Sequence, residues 1–352
     1  MRAHRPLTAN RMSRNSAQKA PDTPSQILRL LEQEYPSAQS VTITETSKSW
    51  IYITAQFVFK LKKQVRDDLQ DLTSLRARHD NTLTEIDLNR RLAPQIYLGA
   101  IRVAENADGG LCLGGPGHTR DWLVKMKRLP ASRMLDVLMA KHETEPAVML
   151  PVMDRLTTEL VAFYRDAPAT NLRAEELTTI LQDQQEMNRA TLLHPQFAAL
   201  HARFNVVFTA YETMFDRFFS QLVTRAEAGW IRECHGDLRP EHICLSDPPV
   251  VFDCLEFNRN LRLVDPFSEI MFLGLECDLL GAEWIKPYLI KALETGLQNW
   301  PDPELLRFYE VIHALLRARL CLAHLLVPKP RKPKKWMPLG LRYLEVAERA
   351  LL

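Results

Sequence analysis

A chain of 352 residues can hold one large domain or two smaller lobes around a cleft, and 46% hydrophobic with 25% charged residues is the balance of a folded protein. A formal net charge of +2 makes no electrostatic case for a nucleic-acid partner. No apolar run approaches transmembrane length and nothing resembles a secretory leader, so no membrane partner is expected and the expected location is cytoplasmic.

In chain order, residues 1–24 carry several arginines and no acid before Asp22, which reads as a disordered tail. Residues 25–34 read as a short helix. VTITETSKSWIYIT (41–54) and AQFVFKLKK (55–63) are dense in β-branched and aromatic residues, which predicts two adjacent antiparallel strands. A helix is expected over roughly 69–92, stopped near Pro94. The stretch IYLGAIRVAENADGGLCLGG predicts a hairpin about Asn106–Gly110, and DWLVKMKRLP (121–130) a strand running into a connector at 127–131. From Ser132 helices dominate through Arg225, with breaks near Pro146, Pro168 and Pro195. Two short apolar strands, ICL (243–245) and VVF (250–252), interrupt them before helices resume at Pro266. PKPRKPKK (328–335) is expected to be a solvated, helix-breaking connector between two terminal helices. The fold class is therefore α+β: a sheet-rich lobe over 25–127 and a helical lobe over 128–352 with an embedded loop pair at 235–265.

The six cysteines, Cys112, Cys234, Cys244, Cys254, Cys277 and Cys321, form no CxxC pair. They read as buried free thiols of a reducing compartment, not as a structural zinc site. The glycines of GGLCLGGPG (109–117) fit a hairpin better than a dinucleotide fingerprint. No GxxxxGK followed by Ser or Thr is present, so a P-loop enzyme is unsupported.

The chemistry concentrates in HGDLRPEH (235–242) and, after a short apolar run, VVFDCLEF (250–257). Phosphoryl transfer needs a cation on the nucleotide phosphates, oxygen ligands for magnesium, and a carboxylate that positions the acceptor. Lys60, inside the apolar strand FVFKLKK, could supply the first with Glu85 as its partner. Asp237 could act on the acceptor, and Asp253 could reach a metal from the end of its strand. Lys60 and Lys62 project to the same side of an ideal strand, so alternation does not choose between them.

In these residues the chain resembles the aminoglycoside phosphotransferase superfamily, and within it a branch often fused to a P-loop kinase-like domain. The resemblance covers about residues 40–325 and is carried by SWIYIT…FVFKLKKQV, TEIDLNRRLAP, WLVKMKRLP, HGDLRPEHICL and FDCLEFNRNLRLVDP, in that order. A stand-alone version is expected, since no C-terminal P-loop domain is present. The resemblance implies a bilobal, protein-kinase-like fold binding ATP between the lobes. By that likeness Lys60 meets the nucleotide phosphates and Glu85 pairs with it. KMKRL (125–129) forms the hinge, with Met126 lining the pocket and Lys127 and Leu129 presenting backbone groups to adenine. Asp237 is the catalytic carboxylate, His235 supports its loop, and Asp253 is the principal ligand of Mg2+, or of Mn2+ in its place. Ser47 and Ser49, in TETSKSW, offer phosphate contacts or only a strand connection. Asp265 and Glu269 resemble acidic positions that stabilise the loops.

One departure and one nearby acid, at a position the family commonly fills with an acidic residue, bear on chemistry. His242 stands where the family commonly has a metal-binding asparagine; it would serve as a metal ligand, a phosphate contact or a loop support, or mark weakened catalysis. Glu256, three residues after Asp253, would compensate at a second metal or hold acceptor-side structure. The helix RFYEVIHALLRARL brings Arg317 and Arg319, which does not argue for a polycationic acceptor. The expected activity is ATP-dependent phosphorylation of a hydroxyl on a small molecule. The alternatives are a catalytically weak nucleotide-binding or interaction protein and an adenylyl transferase.

Overall fold

The computed structural model describes residues 23–38, 40–67, 69–170 and 172–351; the tail expected over 1–24 lies outside them except for Thr23 and Pro24, which open a helix. That helix, α1 (Thr23–Glu34), turns Ile27, Leu30 and Leu31 inward at helical spacing. They pack on one face of a six-stranded antiparallel sheet built from β1 (Thr42–Glu45), β2 (Ser49–Ile53), β3 (Phe57–Lys62) and three later strands.

Where one long helix was expected over 69–92, residues 66–71 make a small hairpin, β4 (Arg66–Asp67) with β5 (Gln70–Asp71), and α2 spans only Leu75–Asn89. The reason is local capping. Asp71 Oδ1 accepts the Thr73 N–H at 3.0 Å, and Ser74 Oγ accepts the Ala77 N–H at 3.1 Å. These bonds favour a turn and an N-cap over a continuing helix. The expected hairpin about Asn106–Gly110 forms between β6 (Tyr97–Glu105) and β7 (Leu111–Leu113), and β8 (His118–Lys127) completes the sheet in the order β1-β2-β3-β8-β6-β7. The single strand-rich stretch 41–54 is thus two strands, divided at 46–48 where Thr46 Oγ1 accepts the Ser49 N–H at 2.9 Å.

The strand period then sorts β3. Phe59 and Leu61 point to α1, whereas Val58, Lys60 and Lys62 share the opposite face, toward α2 and the helical lobe.

The helical lobe comprises α3 (Leu135–Ala140), α4 (Pro146–Asp166), α5 (Ala174–Leu192), α6 (His201–Glu227), α7 (Pro266–Leu279), α8 (Ile285–Leu297), α9 (Pro303–Ala323) and α10 (Pro333–Arg349). Its breaks fall at the expected prolines: Pro146 opens α4, Pro168 follows it, and Pro195 follows α5. Helix α7 is apolar around its circumference and is buried from Pro266 through Cys277, making it the axis of the lobe. Between α6 and α7 run four two-residue strands. β9 (Arg232–Glu233) pairs with β12 (Leu263–Val264), and β10 (Ile243–Cys244) pairs with β11 (Val250–Val251), which sets the two acidic loops side by side. The basic segment 328–335 links α9 to α10 and is exposed except at Pro330, and on its surface Arg331 Nη2 lies 2.6 Å from Glu45 Oε1 of β1.

At the base of the loops, the buried Asp265 caps α7 by accepting the Phe267 N–H at 2.9 Å. Its other oxygen pairs with buried Arg225 of α6 and accepts from Tyr309 of α9 at 3.1 Å. Removing one member of a buried pair strands the other charge. Arg225→Met is therefore expected to cost about 3–5 kcal/mol of stability, read as a lower urea midpoint at unchanged slope, with part recovered in Arg225→Met/Asp265→Asn. An Arg225→Met midpoint equal to wild type would show that the pair contributes nothing net.

Candidate functional site

The two β3 lysines converge on one residue. Lys60 Nζ lies 2.9 Å from Glu85 Oε1 of α2 and 3.0 Å from Asp253 Oδ1. Lys62 Nζ contacts the other Glu85 oxygen and Glu256. The side chains form a continuous chain, Asp253–Lys60–Glu85–Lys62–Glu256, of two cations and three carboxylates. Its middle is dry, with Glu85 0% and Lys62 1% exposed, while the Asp253 side chain is 42% exposed at the open end. Burial alone would lower the Lys60 pKa, but Asp253 and Glu85 carry it well above the ordinary value. For Asp253 burial pushes upward, and Lys60 with His242 more than offsets it, holding the carboxyl far below its usual range. Glu85 is likewise lowered, against its burial, by the two lysines.

The Asp253 backbone sits at φ 62°, a left-handed conformation that turns the chain sharply after β11. It is held there from three sides. The Asp253 N–H donates to Tyr97 Oη at 3.3 Å, Cys254 N–H to Asn89 Oδ1 at 2.8 Å, and Leu255 N–H to the His235 carbonyl at 3.1 Å.

The facing loop is equally fixed. His235 is 1% exposed; its Nε2 lies 3.0 Å from the Phe252 carbonyl, and its Nδ1 accepts the Asp237 N–H at 3.3 Å. Those partners require the neutral Nε2–H tautomer. Gly236 has φ 85°, and a Cβ there would stand 3.0 Å from Arg262 Cγ and 3.1 Å from the Leu261 carbonyl, so a side chain is excluded. Glu269 of α7 gathers the loop by accepting the His235 N–H at 3.2 Å, the Gly236 N–H, and the Tyr164 hydroxyl at 2.8 Å. Burial raises the Glu269 pKa despite these donors.

Asp237 is 29% exposed at its side chain, and Arg239 lies fork-like on it, with Nε 2.8 Å from Oδ1 and Nη2 2.9 Å from Oδ2. Burial would raise the carboxyl, and Arg239 and His242 reverse that, leaving it below its ordinary value. His242 Nδ1 lies 2.7 Å from the Asp237 carbonyl, which can only accept, so Nδ1 carries the proton. Nε2 faces Arg239 Nη2 at 3.4 Å and Asp253 Oδ2 at 3.6 Å.

The expected residues therefore fall into two sets. Asp237, His235, His242, Asp253, Lys60, Glu85 and Glu256 come together at the loop pair, and Met126 is buried on β8 between Val58 and Tyr97. At the hinge the Lys127 N–H already donates to the Ile96 carbonyl at 2.9 Å, while the Leu129 side chain packs partly against the same core as Met126. Ser47 is exposed on the β1–β2 turn. Ser49 is buried, and its Oγ has no partner among the described residues, an orphaned polar atom beside Lys62 in the strand register. Two contributors escaped the sequence reading: Lys62 as the second partner of Glu85, and Arg239 as the clasp on Asp237. Their signals were present, as Lys62 shares the face of Lys60 and Arg239 lies two residues beyond Asp237.

Among the described residues no group of three His, Cys, Asp or Glu side chains is arranged to hold a metal ion by itself. A magnesium ion that travels with a nucleotide needs only one or two carboxylates besides phosphate and water. Asp253, exposed and ionised, fits that demand; Glu256 is engaged by Lys62, and His242 offers nitrogen where magnesium prefers oxygen.

No protein-family model matches the chain. It is 25% identical over 287 residues to uncharacterized proteins of Mycobacterium tuberculosis and Mycobacterium bovis, matching 80% of this chain and 54% of theirs. The chain thus spans about half the length of the curated relatives it matches. Among solved structures, the GDP complex of aminoglycoside 2'-phosphotransferase-IIIa superposes with a TM-score of 0.53 at 15% identity, covering 94% of this chain and 100% of that one. A choline/ethanolamine kinase family protein from Mesorhizobium loti gives 0.52 at 11% identity, covering 93% and 94%. Spectinomycin phosphotransferase, solved with ADP and spectinomycin, gives 0.51 at 13%, covering 93% and 98%. The likeness is one of fold: a bilobal, protein-kinase-like architecture.

His235 supplies a pH test of the loop. Burial, with the nearby His242, lowers its pKa from 6.5 to about 4. The folded state favours the neutral ring, so this stability is fully present above pH 6.5 and is lost as pH falls toward 4. It amounts to about 3 kcal/mol. Urea titrations between pH 7 and pH 4 should show wild type losing that much more stability than His235→Gln; parallel curves would contradict the assignment.

Proposed function

We propose that the chain is an ATP-dependent phosphotransferase that moves the γ-phosphoryl group to a hydroxyl of a small molecule. The observation that carries this reading is the juxtaposition of Asp237 and Asp253 across the β10–β11 pair, with Lys60 bound to Asp253. On this reading residues 25–127 form the nucleotide lobe and 128–352 the acceptor lobe, and the six unpaired cysteines support a reducing, cytoplasmic setting.

Lys60, held by Glu85, would direct its ammonium at the nucleotide phosphates. Ser49 Oγ, buried and unpartnered among the described residues, is a second candidate donor to them. Adenine would stack in the cleft against Met126, with the Lys127 carbonyl and the Leu129 amide at its edge. Asp253, with His242 Nε2 behind it, is the residue that would hold Mg2+ or Mn2+. The metal, when bound with ATP, supplies charge neutralisation at the phosphates.

The acceptor hydroxyl oxygen forms a bond to the γ-phosphorus while the bond from that phosphorus to the β–γ bridging oxygen breaks, and ADP leaves. Asp237 orients the hydroxyl and receives its proton late. Each carboxylate oxygen has two lone pairs, so the Arg239 fork leaves room for that hydrogen bond. Because Arg239 holds Asp237 ionised and weakly basic, most acceleration comes from positioning and electrostatics. His235 fixes the loop through Phe252 and does not itself touch substrate.

Incubating the protein with γ-labelled ATP, Mg2+ and a fractionated metabolite pool should yield a labelled product. Asp237→Asn should lower its rate by about 10²–10⁴-fold with nucleotide affinity retained, and Asp253→Asn should lose metal-dependent nucleotide binding as well. Nucleotide binding without transfer, under both Mg2+ and Mn2+, would replace this reading with that of a binding protein. An AMP-bearing product would replace it with adenylyl transfer.

A further inference from the structure

Beside Asp237 lies a cavity of about 210 Å³ enclosed by α5, α6, α7, α9 and the loop after β11. It is below the roughly 300–1,000 Å³ usual for pockets that take drug-sized ligands, and its walls are mostly carbon: Leu177, Ile180, Leu181, Phe272, Ile312 and Leu316. A polycationic acceptor needs free carboxylates here, and the wall has none to give. Asp237 is forked by Arg239, Asp265 is paired to Arg225 and Tyr309, and Glu269 receives two amides and Tyr164.

The charge left over on this wall is positive. Arg319 of α9 pairs with no carboxylate among the described residues. Its Nη2 donates to Gln184 Oε1 at 3.1 Å, and its buried Nε has no partner. Burial with nothing to offset it lowers its pKa from 12.5 to about 10. Arg317, two residues earlier on the same helix, is the contrast: Glu276 lies 2.7 Å away and Tyr343 within 3.2 Å. An uncompensated guanidinium in an apolar wall is costly unless an anion visits it. Around it stand two further orphaned acceptors of α5, Gln185 Oε1 and Asn188 Oδ1, suited to receive a hydroxyl proton.

We infer that the acceptor is a compact hydroxy acid with an apolar carbon body, its carboxylate bound by Arg319 and its hydroxyl delivered to Asp237. This inference names the acceptor class for the phosphotransferase reading and rests on it for the fate of the hydroxyl, but not for the binding step. A planar carboxylate matches a pair of the N–H donors that Arg319 keeps beyond its bond to Gln184, so charge and shape are both read. The mostly apolar walls disfavour heavily hydroxylated sugars, which carry more hydroxyls than Gln185 and Asn188 could receive.

The test uses 3-phenyllactate and 3-hydroxyoctanoate as probes, each against its methyl ester, with spermidine as the cationic control. Binding is measured by calorimetry with ADP and Mg2+ present, and transfer with γ-labelled ATP. At least one acid should bind tenfold or more tightly than its ester and become labelled. Arg319→Met should abolish that preference while leaving ester affinity within about twofold. Arg319→Lys, which keeps the charge but loses the fork, should retain part of it and guards against misfolding of the first variant. Acids and esters binding alike, or spermidine binding more tightly than both acids, overturns the inference. An Arg319-dependent acid that binds but is never labelled upholds the anion site and counts against phosphoryl transfer. Labelling indifferent to Arg319 does the reverse.

Discussion

The structure depends on how two lysines on one face of an interior strand are neutralised. β3 sends Lys60 and Lys62 to the same face, and one buried glutamate, Glu85, receives both. Left unpaired, either cation would impose a desolvation penalty of several kcal/mol. The remaining partners come from the other lobe: Asp253 for Lys60 and Glu256 for Lys62. The charge balance of β3 therefore sets where the loop after β11 sits relative to the sheet. Lobe placement and site electrostatics are one constraint.

That loop cannot drift independently of the HGDLRPEH loop. The Phe252 N–H donates to the His242 carbonyl at 3.0 Å, the Leu255 N–H to the His235 carbonyl at 3.1 Å, and the His235 ring returns to Phe252. The turn after α2 adds a third tie, since Arg91 donates to the Glu233 carbonyl at 2.7 Å and the Cys234 carbonyl at 2.9 Å. The chain just beyond the helix that carries Glu85 thus grips the strand leading into HGDLRPEH. Buried polar networks of this kind hold the two loops rigidly against each other.

Much of this was legible in the chain itself. Alternation in FVFKLKK, the apolar run ICL before VVF, and prolines at helix starts have local causes, so the strands, the loop pair and the helical lobe were readable. Two kinds of feature were not. The first is local competition: Asp71, Thr73 and Ser74 form capping bonds that turn an expected 24-residue helix (69–92) into a hairpin and a 15-residue one, a contest that hydrophobic period does not register. The second is pairing over long range. Nothing near Lys62 in sequence announces Glu256, 194 positions away.

The two sides of Asp237 follow opposite electrostatic logic. On the proposed reading, the side toward the nucleotide carries five charges that alternate and satisfy one another, so an arriving phosphate would compete with Asp253 for Lys60, and a cation would restore the balance at Asp253. On the other side carbon predominates and the half-buried Arg319 guanidinium is left without a counter-charge. A nucleotide would be the same in every turnover, and a pre-paired lattice can be tuned to exchange with it. An acceptor would have to be recognised among many hydroxyl compounds, and a guanidinium without a counter-charge in a mostly apolar wall discriminates, because a ligand that fails to satisfy it leaves its cost unrelieved. The saturated half thus suits the invariant substrate and the unsaturated half the selected one.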